Sequence, residues 1–209
     1  MQRVLDFGCG DGGFDEILPD RLHLGSWLGN NGHGEAWGID INPAKIEVAK
    51  TRITNGAKLR VMDGCDTYFD NDFFDVVHCW GVLHHIEKFE QAILEISRIL
   101  KPGGILYLTE SVDNNPAFFG ARRLWCKWQG DKINGFFTTR RLRRNLLPYF
   151  EIVHEDYYYR ALISDVLRNY HKEPAISLKV NHALSKAFTK MGIAERMCCH
   201  YSVLCIRRG

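Results

Sequence analysis

Residues 4–13 read VLDFGCGDGG, and this stretch narrows the fold more than any other. An apolar run of strand length ends in an aspartate and breaks into four glycines within six positions. Such a turn lets the backbone approach a neighbour or a ligand closely, because no Cβ intervenes. Four more strand-like runs follow: AWGIDI (36–41), LRVM (59–62), DVVHCW (75–80) and ILYLTE (105–110). Helical periods lie between them. PAKIEVAKTRI (43–53) opens on proline, which suits a first helical turn, and sets Ile46, Ala49, Lys50 and Ile53 on one side. FEQAILEISRIL (89–100) aligns Phe89, Ile93, Ile96 and Leu100, with Glu90, Gln91, Glu95 and Arg98 off the stripe. Lys101-Pro102-Gly103-Gly104 then stops that helix. This alternation predicts an α/β class: a doubly wound, mostly parallel sheet covered on both faces, with a ligand beyond the carboxyl ends of its strands.

The second half is less regular. TTRRLRRNLLPYF (138–150) reads as a capped helix with Leu142, Leu146 and Leu147 inward, and EIVHEDYYYR (151–160) alternates like a strand. Residues 161–170 and 175–190 read as helices, and CCHYSVLCIRR (198–208) as a last strand. No linker divides the chain, so 1–209 is expected to be one domain. Its parts are a ligand-binding half (1–110), a cap (111–147) and C-terminal strands with inserted helices (148–209).

Composition excludes more than it selects. Apolar residues at 45%, charged residues at 25% and a net charge of +2 are ordinary for a globular protein and do not mark a nucleic-acid binder. No apolar stretch is long enough to span a bilayer, and no secretory signal opens the chain. Seven cysteines without a C-x-x-C pair suggest neither zinc nor a redox dithiol, and no metal-ligand cluster is legible. A reducing, cytoplasmic setting is the expectation.

The glycines fit two templates. Gly8, Gly10 and Gly13 make the G-x-G-x-x-G of dinucleotide folds; Gly8, Gly10 and Gly12 make the G-x-G-x-G of folds that hold S-adenosylmethionine. Asp6 discriminates between them. A carboxylate there would repel a pyrophosphate, whereas the ammonium and sulfonium of S-adenosylmethionine are attracted to it. Asp40, ending the second strand, can accept hydrogen bonds from ribose hydroxyls of either ligand. Asp63 follows the third strand, where it can accept from an adenine amino group, with the N–H of Gly64 or Cys65 meeting a ring nitrogen.

These stretches, with RVMDGCDTYFDNDFFDVVHCWGVLHHIE and LKPGGILYLTE, resemble a class I S-adenosylmethionine-dependent methyltransferase of the small-molecule group that carries LHH after the fourth strand. The likeness covers about residues 2–110. It implies that Asp6 and the loop Gly8, Cys9, Gly10 and Gly12 surround the methionine end, and that Asp40 binds the ribose. Ile41 would pack on adenine, Asp63 and Gly64 would meet its edge, and the carbonyl near Cys79 or Trp80 would receive the ammonium. The implied fold is a Rossmann-like, seven-stranded sheet with an antiparallel last strand. The sequence departs from the family pattern in three places. Its first strand begins at residue 2 or 3, so the helical segment usual before it is expected from elsewhere, such as a partner chain, or from upstream, and its 13–37 and 161–197 connections are long.

The implied chemistry is in-line methyl transfer to a small-molecule acceptor, with His84 of WGVLHHIE as general base facing the pocket and Glu110 as a further pocket candidate. Residues 117–144 hold eight basic side chains against one acid, interleaved with aromatics. This pattern suits an anionic or amphiphilic acceptor, or transient contact with a membrane surface; nucleic acid is disfavoured, and a partner chain or homo-oligomer stays open. Two other readings stand beside this one: a nicotinamide-dependent oxidoreductase, if Asp6 is incidental, and a non-catalytic S-adenosylmethionine-binding partner protein.

Overall fold

Apolar, β-branched runs bounded by glycine and aspartate form strands because the pleat lets alternate side chains enter two different cores. The computed structural model describes residues 2–12, 34–53, 56–115, 118–120, 123, 124, 127, 137–159 and 175–209. In chain order the elements are β1 (Gln2–Phe7), β2 (Gly34–Asp40), α1 (Pro43–Arg52), β3 (Lys58–Val61), β4 (Phe74–Trp80), a 3-10 turn (Leu83–His85), α2 (Phe89–Ile99) and β5 (Leu100–Ser111). They continue with α3 (Thr139–Leu146), β6 (Phe150–Tyr158), α4 (Ala175–Lys190), α5 (Ala194–Met197) and β7 (His200–Arg207). The sheet runs β3-β2-β1-β4-β5-β7-β6. β7 is antiparallel to both neighbours, and every other pair is parallel. The order reverses between β1 and β4, which opens a crevice at the carboxyl ends of those two strands.

One face of the sheet packs Leu5, Phe7, Ile39, Val77, Leu106 and Leu108 against Phe89, Ile93 and Ile96 of α2. The other face carries Val4, Ala36 and Val76, and beside them Cys9 and Leu59 meet Ile46 and Ala49 of α1. Asn42 caps α1, its Oδ1 accepting the N–H groups of Ala44 and Lys45. Lys50 does not join the inward row of Ile46 and Ala49. It is exposed and pairs with Glu47 at 2.6 Å, because an ammonium at the rim keeps its hydration. Thr138 caps α3, and Leu142 and Leu146 are buried. Leu147, expected inward, is half exposed because the helix ends one residue before it and the period lapses. The proposed helix at 161–170 lies outside the described residues, as does Gly13.

Glu95, expected on the wet side of α2, is instead buried. Its Oε1 accepts the Thr67 N–H at 2.8 Å, the Thr67 hydroxyl at 2.5 Å and Arg98 Nη2 at 2.6 Å, pinning the β3–β4 connection to the helix. Burial alone would raise this carboxyl's pKa, but the bonds from Arg98 and Thr67 outweigh it and hold the value below the usual carboxylate range. A lowered carboxyl stabilises the fold above its unfolded pKa, and that contribution is lost as pH falls through the folded value. The melting-temperature advantage of the wild type over Glu95→Gln should therefore be full at neutral pH and shrink steadily in acid. An advantage independent of pH would contradict this account.

A second polar cluster ties α3 to the last strands. Arg143 donates to Glu155 at 2.5 and 3.0 Å, to Glu195 at 2.8 Å and to the Tyr157 hydroxyl, while the Tyr201 hydroxyl donates to Glu155. Arg141 pairs with Glu90 at 2.8 Å. Of the described basic residues in 117–144, Arg141 and Arg143 are thus committed to ion pairs, whereas Lys127, Arg140 and Arg144 are exposed.

Candidate functional site

All five leading strands end on the same edge of the sheet, so parallel pairing alone gathers Asp6, Asp40, Asp63, Cys79 and Glu110 at one end. Between β1 and β2 the glycine loop takes its shape from left-handed backbone. Gly8, Gly10 and Gly12 have φ of 79°, 59° and 73°. The Gly8 and Cys9 N–H groups both donate to the Ile39 carbonyl at 2.8 Å, folding the loop back over β2. A Cβ on Gly8 would lie 2.3 Å from Val82 Cγ2, and one on Gly12 would press on Ile53 at 3.0 Å. Among the described residues, a Cβ at Gly10 would meet nothing within 4 Å, so the middle of the loop faces open space in that part of the structure.

Asp40 borders that space. Its Oδ2 accepts the Gly10 N–H at 3.0 Å and its Oδ1 accepts the Asn42 N–H at 2.9 Å, which orients the carboxylate between loop and helix. Next to it Ile41 is 67% exposed, a large apolar side chain in water at a strand end. Asp63 is exposed, and its Oδ1 accepts the Cys65 N–H at 2.8 Å, shaping the turn that carries Gly64. Gly64 is required there because a Cβ would lie 2.4 Å from Cζ of Phe7.

Asp6 lies opposite Gly38 and His78 in the two flanking strands. Its Oδ1 is 3.1 Å from His78 Nδ1, and the side chain keeps about a fifth of its surface accessible (21%). The His78 ring stacks on Tyr107, with centroids 5.7 Å apart and 12° between planes. Residue-by-residue reading missed His78; its only signal was a histidine inside the apolar DVVHCW run, and pairing register was needed to set it beside Asp6. Gly38 was missed for the same reason: a Cβ there would strike Leu59 at 2.7 Å and Cys9 Sγ at 3.1 Å.

Cys79 is fully buried, opposite Phe7 and Leu108. Burial, reinforced by the charges of Glu110 and Asp6, pushes its thiol pKa well up, so the sulfur is an inert core atom and only the backbone can serve a ligand.

Beyond β4, the 3-10 turn is organised by Glu110, whose side chain is fully buried. Glu110 Oε1 accepts the N–H groups of Val82 and Leu83 at 2.9 and 2.7 Å. Glu110 Oε2 lies 2.6 Å from His84 Nδ1. His84 is 8% exposed and turned toward this carboxylate, and His85 is the exposed member of the pair. With the carboxylate as acceptor, Nδ1 of a neutral His84 carries the proton and Nε2 keeps its lone pair. Glu110 and His84 thus form one unit. Among the described residues, no group of three or more His, Cys, Asp or Glu side chains is placed to hold a metal ion, and no helix is long and apolar enough to cross a membrane.

Comparison with known proteins follows the same outline. Residues 5–108, about half of the chain, match a family model described as "Methyltransferase domain". The chain is 33% identical over 106 residues to the phthiotriol/phenolphthiotriol dimycocerosates methyltransferase of Mycobacterium leprae, covering 50% of this chain and 36% of that protein. It is 34% identical over 111 residues to the ubiquinone/menaquinone biosynthesis C-methyltransferase UbiE of Bordetella avium, covering 52% and 40%. The chain therefore spans well under half the length of these curated relatives. The fold is also that of an S-adenosylmethionine-dependent methyltransferase from Mesorhizobium loti, with a TM-score of 0.63, 16% identity and coverage of 98% and 90%.

Proposed function

We infer, from the premise that this chain belongs to the class I S-adenosylmethionine-dependent methyltransferases, that it moves a methyl group from that co-substrate to a small, amphiphilic acceptor. The observation that carries the reading is the open space over Gly10, bounded by Asp40 and Ile41 at the strand end next to Asp6. The donor set fits the molecule. Asp6 offers a carboxylate to its cationic end, the loop Gly8, Cys9, Gly10 and Gly12 admits it over Gly10 with the Cys9 side chain turned into the core, and Asp40 accepts from the ribose. Ile41 covers one face of the adenine, Asp63 and the Gly64 N–H meet its edge, and the backbone carbonyl of Cys79 receives the ammonium.

S-adenosylmethionine supplies a methyl carbon already activated by sulfonium, so displacement breaks the carbon–sulfur bond and leaves S-adenosylhomocysteine. The protein's task is to align the acceptor's lone pair behind that carbon and to hold water out. His84, in the tautomer that Glu110 imposes, takes the proton that the acceptor gives up. The amphiphilic character of the acceptor, and transient approach to a membrane surface, rest on the exposure of apolar Leu124 and of basic Lys127, Arg140 and Arg144 in one stretch of the chain. A nicotinamide-dependent oxidoreductase loses its footing with the family match, and Asp6 beside the glycine loop disfavours a pyrophosphate.

Calorimetry with S-adenosylhomocysteine tests the reading. The wild type should bind, and Asp6→Asn should weaken binding by about 10- to 100-fold, the worth of one charge-assisted contact. Folded wild-type protein that gives no heat with this ligand would refute the assignment.

A further inference from the structure

At the far edge of the sheet, β6 and α4 enclose a groove of about 650 Å³, away from every residue assigned above. That volume is in the range of small-molecule sites. One wall is Asp156 and the consecutive Tyr157, Tyr158 and Tyr159; the other is α4. The helix is held on the strand by local bonds. Ser185 Oγ accepts the Tyr159 N–H at 2.9 Å and donates to the Asn181 carbonyl at 2.8 Å, and Phe188 meets the Tyr159 ring edge-on at 5.2 Å.

This docking turns a second row of α4 to the groove. His182, Lys186 and Lys190 recur every four residues, so they share one helix face beside Ser185. All three are exposed. Among the described lining residues the acid set against them is Asp156, whose Oδ2 is 3.0 Å from His154 Nε2. The tyrosines add apolar ring faces. Burial, with the charge of Asp156, pushes the Tyr158 hydroxyl up to about 12, so it stays a neutral donor at physiological pH.

β6 runs parallel to β4 and β5, so its carboxyl end, which carries the tyrosines, shares the sheet edge with His84 and Glu110. Two strands separate β6 from β4, which sets the groove roughly 14 Å from β4 along the sheet. We propose that this groove binds an anionic amphiphile, its aromatic or apolar body against Tyr157–Tyr159 and its negative group against Lys186, Lys190 and His182. Resting on the methyl-transfer reading above, this ligand is the distal part of the acceptor, whose reacting end reaches His84. The groove thereby sets which acceptors are held, by charge and by length.

The probe is 8-anilinonaphthalene-1-sulfonate, followed by fluorescence on the intact chain. N-phenyl-1-naphthylamine serves as its neutral counterpart, and S-adenosylhomocysteine calorimetry checks the cofactor site in every variant. In Lys186→Glu combined with Lys190→Glu, affinity for the sulfonate should fall about tenfold or more, while the neutral probe changes less than about twofold. Tyr158→Ala should weaken both probes, since it removes a wall rather than a charge. An unchanged sulfonate affinity in the lysine variant, or an equal loss of both probes there, overturns the groove. The expected probe pattern in a wild type that gives no heat with S-adenosylhomocysteine overturns only the acceptor role, since the groove's own chemistry would stand.

Discussion

Gly8→Ala is expected to lower the stability of the fold by about 3–5 kcal/mol. Two costs add at this position. The backbone sits at φ 79°, which costs a non-glycine residue about 1–2 kcal/mol, and the new Cβ would be placed 2.3 Å from Val82 Cγ2 in packed surroundings. In a chain of this size the melting temperature should drop by about 10 °C or more. Gly10→Ala is the informative partner. It bears a similar backbone strain at φ 59° but meets no atom of the described residues within 4 Å. It should cost only about 1–2 kcal/mol in stability and instead obstruct S-adenosylhomocysteine, because its methyl enters the open space. If the two variants melt together, the Val82 contact does not govern the loop.

Glu110→Ala has the second large effect, and its conservative counterpart separates structure from chemistry. Alanine removes a fully buried carboxylate that accepts two backbone N–H groups, one buried and one half-buried, and partners the buried His84. Unsatisfied buried groups cost about 1–3 kcal/mol each, so for three groups a loss of about 3 kcal/mol or more is expected. Glu110→Gln keeps an oxygen for Val82 and Leu83 and should restore most of this stability. Its amide N–H₂ would face His84 Nδ1, however, and drive the ring to the opposite tautomer. Nitrogen-15 spectra of His84 should show the proton on Nδ1 in the wild type and on Nε2 in Glu110→Gln. Turnover should then fall by about 100-fold or more, the worth of a positioned general base. An unchanged tautomer would remove Glu110 from the mechanism.

Both variants act on contacts of different legibility. Gly8 stands in a recognisable turn, and its left-handed backbone follows from the residue type after a strand. The contact that makes it irreplaceable belongs to Val82, 74 positions away. Glu110 was a candidate from its place at a strand end, and His84 from its place in LHH. Their 2.6 Å contact follows only from β4 and β5 lying side by side. Glu95 shows the same limit in reverse. Helical periodicity assigns it to solvent, yet Thr67 and Arg98 surround it, because a loop 28 residues earlier folds over that face.

What the chain determines locally is decided by backbone stereochemistry and side-chain period. These include the strand and helix runs, the caps at Asn42 and Thr138, the left-handed glycines and the strand-end aspartates. Each depends on neighbours within a turn or a strand, where linear order and spatial order coincide. What tertiary structure alone decided is which strand lies beside which and in what register. That put His78 against Asp6, Glu110 under His84, and β6 beside α4 to leave a tyrosine-walled groove. Such pairings depend on burying two sheet faces at once, a property of the whole packed chain that no short window of residues contains.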